Sequence, residues 1–211
     1  MTHLDGLYLI TPDTTDAPCI LAERVAQAIS GGARLVQYRH KGPDRRLRHE
    51  QATAVRSVCR LAGVPFIVND DVALAGEIGA DGVHLGRDDG DPIAARRHLG
   101  DDAIIGVSCY DNLALAKAAE QAGASYVAFG SFFPSATKPH AVRASVKLLS
   151  TARDSLRIPA VAIGGITPQN GGLLIAAGAR MLAVVTGVFA QPDLAAAARA
   201  YASLFVDGDP R

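Results

Sequence analysis

Eight short apolar segments recur along the chain, and most are followed by a longer segment of helical periodicity. The short segments are residues 7–11, 34–39, 66–70, 82–85, 103–108, 126–129, 160–163 and 181–186. Most of them are continuously apolar, which is typical of strands buried on both faces of a parallel sheet. The alternation predicts an α/β fold, a (β/α)8 TIM barrel, formed as a single domain by residues 1–211.

A doubly wound sheet is the competing architecture. It needs no eighth strand–helix unit, and no G-x-G-x-x-G motif follows the first predicted strand, so the barrel is favoured. Two helices have clear apolar faces. One face is Leu47, Gln51, Val55, Val58, Leu61 and Ala62, and the other is Leu194, Ala197, Ala198, Tyr201, Leu204 and Phe205.

Charge and composition exclude several classes of partner. Lys and Arg total 21, Asp and Glu total 21, and 49% of the residues are hydrophobic. A neutral chain has no bulk positive field for nucleic acid or an anionic membrane. The three cysteines show no C-x-x-C spacing, and the first residues lack the pattern of a secretory signal. We expect a cytoplasmic protein without a nucleic-acid or membrane partner.

Polar residues follow the predicted strands at the ends where barrel enzymes carry their chemistry. Polar residues at or just after the strand ends are Gln37, Arg39 and Lys41 for strand two, Asn69 and Asp70 for strand three, Asp89 for strand four, Ser108 for strand five, Thr186 for strand eight, and Ser135, Thr137 and Lys138 for strand six. Gly164 and Gly165 follow strand seven, and Val185 and Gly187 flank Thr186. This concentration on one face predicts a ligand site there.

The residue types indicate phosphate chemistry. Arg39, Lys41 and Lys138 are cations suited to a phosphate or diphosphate. Asp70 and Asp89 follow neighbouring strands, and Mg²⁺ prefers one or two carboxylates together with substrate phosphates. The alternative for Asp70 is that it caps the next helix.

A second anion zone is predicted after strands seven and eight. Gly164 and Gly165, with Gly187, allow backbone N–H groups to approach a phosphate, although these glycines could instead relieve crowding at a strand end. Two zones suggest two phosphorylated small-molecule substrates. His84, within an apolar strand, is expected to be a core or supporting histidine.

Several motifs in order resemble one family. They are Q-x-R-x-K at residues 37–41, N-D at 69–70, A-D-G-V-H-L-G at 80–86, G-x-x-x-P-x-x-T-K at 130–138, I-G-G-I at 163–166, and Asn170. Together they resemble thiamine-phosphate synthase, and the resemblance extends over nearly the whole chain. It implies a (β/α)8 transferase that joins 4-amino-5-hydroxymethyl-2-methylpyrimidine diphosphate to 4-methyl-5-(2-phosphooxyethyl)thiazole and releases pyrophosphate.

The resemblance also implies roles for individual residues. Asp70 and Asp89 would hold one Mg²⁺ per subunit. Arg39, Lys41, Asn69 and Lys138 would bind the diphosphate, Gln37 and Ser108 would contact the pyrimidine and the departing group, and Ser135, Thr137, Gly164, Gly165, Val185 and Thr186 would surround the thiazole and its phosphate. Lys138, Ser108 and Arg39 are the residues expected to take part in catalysis.

Alternatives stay open at this point. A thiazole tautomerase of the same fold needs an acid/base histidine and no diphosphate site, and a non-catalytic phosphate-binding barrel needs no paired carboxylates. Tyr38, His40 and Arg87 depart from the family pattern, which has leucine, glutamate and glutamine there. The loop around Phe132, Phe133 and Pro134 is expected to act as a lid, and a homodimer is a hypothesis.

Overall fold

Eight parallel strands close into a barrel in chain order. A computed structural model describes residues 4–134 and 143–205. The strands are β1 (Gly6–Ile10), β2 (Ala33–Tyr38), β3 (Phe66–Asn69), β4 (Gly82–Leu85), β5 (Ile104–Tyr110), β6 (Tyr126–Phe129), β7 (Ala160–Ile163) and β8 (Met181–Val184). Each strand pairs with the next, and β8 pairs with β1. The predicted (β/α)8 barrel is confirmed.

Helices connect successive strands on the outside of the barrel. They are α1 (Pro18–Ser30), α2 (Arg45–Ala62), α3 (Val72–Ile78), α4 (Pro92–Leu99), α5 (Leu113–Gln121), α6 (Val146–Ser155), α7 (Pro168–Ala176), α8 (Thr186–Phe189) and α9 (Leu194–Ala202), with a 3-10 turn at Ser203–Phe205. Within the described ranges, none of these helices is long and apolar enough to cross a membrane.

Two strand ends differ from the predicted ones by two residues, and the other strand boundaries differ by at most one. Strand β8 ends at Val184, two residues before the predicted end, because residues 186–189 form the helix α8. Strand β5 continues to Tyr110, two residues beyond the predicted end. Short apolar runs do not distinguish a strand from a helical turn, so such ends depend on tertiary contacts.

The buried face of α2 differs in part from the predicted face. Gln51, Ala52, Val55 and Cys59 are buried, whereas Leu61 is 84% exposed. The prediction for Leu61 is therefore wrong. Leu61 is six residues after Val55, which turns it to another side of a helix with 3.6 residues per turn.

The inside of the barrel is filled by its own side chains, and one glycine makes this packing feasible. Tyr8 and Tyr126 are fully buried there, among aliphatic residues. A Cβ at Gly106 would lie 2.1 Å from Cζ of Tyr126. Gly106 therefore leaves the space in which the Tyr126 ring lies across the barrel.

Candidate active site

The first part of the site is the segment after β2, which the loop after β1 holds in place. The buried Thr11 hydroxyl accepts a hydrogen bond from the Arg39 amide at 2.9 Å and donates to the Arg39 carbonyl at 3.2 Å. Asp13 accepts from Nη1 of Arg39 at 2.9 Å and from the Lys41 amide at 2.6 Å. Two residues of one loop thus hold Arg39 and the Lys41 backbone, two of the three cations that the sequence assigns to diphosphate binding.

The second part is a pair of carboxylates beside a lysine. The Asp89 carboxylate is close enough to Asp70 to raise the pKa of the Asp70 carboxyl, and Nζ of Lys41 donates to Oδ2 of Asp70. Asp89 is held in turn by the Gly86 amide, which donates to its Oδ2 at 2.9 Å. The structure therefore brings together Lys41, Asp70 and Asp89, as the sequence predicts.

Asp71, and not Asp70, caps the following helix. The Asp71 side chain accepts from the Leu74 amide at 2.9 Å at the start of α3 and also pairs with Arg48. Asp70 has a left-handed backbone conformation with φ of 63°, which is sterically costly for a residue other than glycine. The capping alternative for Asp70 is thereby removed.

The pKa of Asp70 is set by burial and by the charges of its two neighbours, Lys41 and Asp89. Burial raises the pKa of the Asp70 carboxyl above its usual value, and the neighbouring Asp89 raises this pKa as well. Lys41 opposes both effects and lowers the same pKa. Since like charges in a half-buried place repel, positive charge at this position stabilises the ionised pair.

The third part is a chain of hydrogen bonds across the barrel interior. Nε2 of Gln37 donates to the Tyr8 hydroxyl at 2.5 Å, and the Tyr8 and Tyr126 hydroxyls are 2.7 Å apart. The Tyr126 hydroxyl lies 2.8 Å from Nδ1 of His84, and Nε2 of His84 lies 2.8 Å from Oγ of Ser108. This interior chain joins Gln37 to Ser108, and His84 is a buried supporting residue, as expected.

The fourth part is the backbone after β7 and β8. Gly164 and Gly165 have φ angles of 101° and 64°, which favour glycine. Among the described residues, no oxygen accepts from the backbone N–H of Gly164, Gly165 or Thr186. Val185 precedes the first turn of α8. These N–H groups are the kind that a barrel offers to phosphate.

Loop packing also explains why glycine stands at residues 164 and 165. A Cβ at Gly165 would lie 2.3 Å from the Pro134 carbonyl oxygen, and a Cβ at Gly164 would lie 2.1 Å from Oγ of Ser131. The Phe133 amide donates to the Gly164 carbonyl at 3.0 Å. The crowding interpretation of this glycine pair is therefore confirmed, and the phosphate interpretation stays a prediction.

The loop between β6 and α6 is described up to Pro134 and again from residue 143. Phe132 is 6% exposed and packs in the main core, and a lid role for the loop around Phe132, Phe133 and Pro134 stays a prediction. Ser135, Thr137 and Lys138 lie outside the described residues.

The three residues that depart from the family pattern, Tyr38, His40 and Arg87, each make a defined contact in the structure. Tyr38 points away from the barrel interior, and its hydroxyl donates to Oε1 of Gln51 on α2 at 2.9 Å. Nδ1 of His40 accepts from the Gly42 amide at 2.9 Å. The Arg87 guanidinium lies over the Tyr110 ring, 4.8 Å from its centroid.

Sequence reasoning missed four residues that support the site. Thr11 and Asp13 precede α1 in a loop without a motif, and nothing in the local sequence indicates that they contact β2. Tyr8 and Tyr126 lie in apolar strands, where an aromatic residue is expected to be core. A buried tyrosine needs a partner for its hydroxyl, and this need was the available signal.

Acidic, basic and hydroxyl side chains at the carboxyl ends of closed parallel strands define the class of a (β/α)8-barrel enzyme. A family profile described as thiamine monophosphate synthase matches residues 7–188. A thiamine-phosphate synthase of Chromobacterium violaceum is 55% identical over 203 residues, covering 96% of this chain and 97% of its own. One of Azoarcus sp. is 54% identical over 203 residues, covering 96% and 98%. The chain belongs to the thiamine monophosphate synthase family.

Solved structures agree with this assignment. The thiamine phosphate pyrophosphorylase of Pyrococcus furiosus superposes with a TM-score of 0.84 at 31% identity, with 96% of each chain covered. A structure described as native KDPGal has a TM-score of 0.73 at 16% identity, with 95% of each chain covered, and shares the fold alone. The family resemblance found in the motifs is confirmed.

Proposed function

We propose that this chain, a pyrophosphate-releasing transferase of its family, acts by ionising the pyrimidine diphosphate before the thiazole attacks. Family membership over nearly the whole chain supports the overall reaction. The observation that carries the ionisation step is the hydrogen bond from Lys41 to Asp70, with Asp89 near enough to affect the Asp70 pKa and with Arg39 held by the loop after β1. Two acidic and two basic groups at neighbouring strand ends suit a diphosphate that departs with its metal.

The reaction breaks one bond and forms one. The bond between the pyrimidine methylene carbon and the diphosphate oxygen breaks, and both of its electrons leave with the oxygen. The thiazole nitrogen then donates its lone pair to the methylene carbon and forms the new C–N bond. Because negative charge grows on the departing diphosphate, the guanidinium of Arg39 and the ammonium of Lys41 stabilise the transition state more than the ground state.

The acidic pair fits Mg²⁺. Asp70 and Asp89 would hold the ion, with Asn69 beside them, and the remaining ligands would be substrate oxygens and water. Within the described residues no group of three or more His, Cys, Asp or Glu side chains is arranged for a metal. Bound Mg²⁺ supplies positive charge that makes the diphosphate a better leaving group.

The backbone after β7 and β8 is the proposed phosphate site of the thiazole. The N–H groups of Gly164, Gly165 and Thr186, next to Val185, would donate to the phosphate oxygens. Ser135 and Thr137 remain predicted contacts of the same substrate, and Lys138 a predicted contact of the diphosphate. Location in the cytoplasm and a homodimeric state also remain predictions.

The test supplies the two substrates separately and together, in Mg²⁺, and detects thiamine monophosphate by mass spectrometry. We expect product only when both substrates are present. Isomerisation of a thiazole without the pyrimidine would support the tautomerase alternative, and tight binding without product would support the binding-protein alternative. The paired carboxylates favour the synthase, because neither alternative has a diphosphate and metal to bind.

A further inference from the structure

The interior chain has a defined direction of donation. Nε2 of Gln37 carries hydrogens and no lone pair, so it donates to the Tyr8 oxygen. Tyr8 is fully buried, and a buried hydroxyl hydrogen without an acceptor is costly. The Tyr8 hydrogen therefore goes to the Tyr126 oxygen, its other partner at 2.7 Å.

The same reasoning sets the next two bonds. The Tyr126 oxygen accepts from Tyr8, so its own hydrogen goes to Nδ1 of His84 at 2.8 Å. An Nδ1 atom that accepts carries no proton, so the ring proton of the neutral imidazole is on Nε2. Nε2 then donates to Oγ of Ser108 at 2.8 Å.

We propose that Tyr8, Tyr126 and His84 are positioning residues. The two tyrosines hold His84 in its Nε2-protonated form, and His84 thereby directs the hydroxyl hydrogen of Ser108 toward the substrate. The Ser108 oxygen already accepts from His84, so its hydrogen is available to an acceptor on the ligand. At the other end, Gln37 uses an Nε2 hydrogen on Tyr8, and no described residue donates to its Oε1. The two ends of the interior chain thus offer the ligand a donor, the Ser108 hydroxyl, and an acceptor, Oε1 of Gln37.

This proposal rests on the proposed function for the identity of the ligand, while the direction of donation does not. A pyrimidine with an exocyclic amino group has a donor for Oε1 of Gln37, and its ring nitrogens are acceptors for the Ser108 hydroxyl. The three positioning residues act through Ser108 and Gln37. Packing against the barrel wall fixes the Tyr126 ring, since Gly106 leaves the space that the ring occupies and any side chain at residue 106 larger than hydrogen would collide with it.

The first experiment measures the tautomer of His84 by long-range ¹H–¹⁵N NMR correlation on the full-length protein without substrate, assigned by comparison with the His84→Gln variant. We expect the proton on Nε2 and an unprotonated Nδ1. A proton on Nδ1 would overturn the proposal, because it requires the opposite orientation of the Gln37 amide and reverses every bond of the chain. The tautomer itself is read from the wild-type spectrum, and the variant serves only to assign the His84 resonances among those of the six histidines.

The second experiment compares Tyr126→Phe with Tyr38→Phe. Both remove a phenol hydroxyl from a buried tyrosine, but Tyr38 bonds Gln51 outside the barrel. In Tyr126→Phe we expect the His84 proton to be shared between both nitrogens. We also expect kcat/KM for the pyrimidine diphosphate to fall about tenfold, the loss of roughly one hydrogen bond. Tyr38→Phe should keep the Nε2 form and kcat/KM within about twofold.

The outcomes separate the two proposals. Equal effects of the two variants on tautomer and kcat/KM would show that the hydroxyl of Tyr126 is only structural and would overturn the positioning role. If the wild type makes no thiamine monophosphate from both substrates, the proposed function fails. The tautomer then still decides the direction of donation, which depends on the protein alone.

Discussion

At the scale of single residues, the site is arranged by partners that lie on other strands. Arg39 and Lys41 can be read from the sequence as phosphate-binding cations, but their positions depend on Asp13, 26 and 28 residues earlier in the chain. Such long-range contacts leave no local pattern. The types of the charged residues were therefore predictable, whereas the groups that hold them were not.

Asp13 supplies the first prediction. Asp13→Asn removes the carboxylate that orders Arg39 and Lys41, so the KM for the pyrimidine diphosphate should rise about five- to tenfold, while kcat changes by less than about twofold. Asp16→Asn is the matched control, because Asp16 is in the same loop and pairs with Arg24 instead. An unchanged KM in Asp13→Asn would contradict a role of this carboxylate in ordering the cations.

Asp70 supplies the second prediction. Asp70→Asn keeps the shape and the tolerance of a positive φ but loses a charge, so activity should fall at least about tenfold and recover in part at high Mg²⁺ concentration. Asp71→Asn keeps the helix cap and should leave the Mg²⁺ titration unchanged. Identical titration curves for wild type and Asp70→Asn would show that Asp70 holds no metal.

At the scale of elements, periodicity predicts the existence of strands and helices better than their ends. All eight predicted strands are present, because apolar runs between helical segments carry a strong signal. The end of β8 was predicted two residues too late, since a helix starts soon after Val184. Leu61 was predicted on the apolar face of α2, but the buried face runs through Cys59. Both depend on what packs against the element.

The third prediction concerns packing between strands. Gly106→Ala would place a Cβ 2.1 Å from Cζ of Tyr126, so we expect the free energy of unfolding to fall by about 2–3 kcal/mol. Gly172→Ala is the control: it lies within α7, and a Cβ there meets nothing within 4 Å. It should raise the free energy of unfolding by about 0.5–1 kcal/mol.

Urea denaturation of both variants measures this contrast. If Gly106→Ala were as stable as the wild type, the Tyr126 ring could not occupy the position that the interior chain requires.

At the scale of the whole molecule, the barrel buries groups whose ionisation opposes folding. Burial raises the pKa of the Cys59 and Cys109 thiols to about 12 and raises the pKa values of the Tyr8, Tyr38 and Tyr126 hydroxyls above their usual value. The assignment of all 211 residues to one domain stays a prediction, and a single cooperative unfolding transition would support it.

These groups predict alkaline destabilisation. The unfolded chain releases the thiol protons near pH 9 and the phenol protons near pH 10, whereas the folded chain retains them. Because the folded state then binds more protons, the free energy of unfolding should fall as the pH rises from about 9 toward 12. Urea midpoints at pH 8 and pH 10.5 measure this, and Tyr38→Phe should reduce the decrease. Equal midpoints at both pH values would contradict the burial of these groups.

The central proposal is a departing diphosphate whose negative charge Arg39 and Lys41 stabilise, with Asp70 and Asp89 as the residues that would hold Mg²⁺. The most direct measurement supplies both substrates to the full-length protein and follows pyrophosphate and thiamine monophosphate together, once with Mg²⁺ and once with EDTA. We predict equal amounts of the two products with Mg²⁺ and none with EDTA. Undiminished product formation in EDTA would contradict the metal-assisted departure, and pyrophosphate release without thiamine monophosphate would contradict the condensation itself.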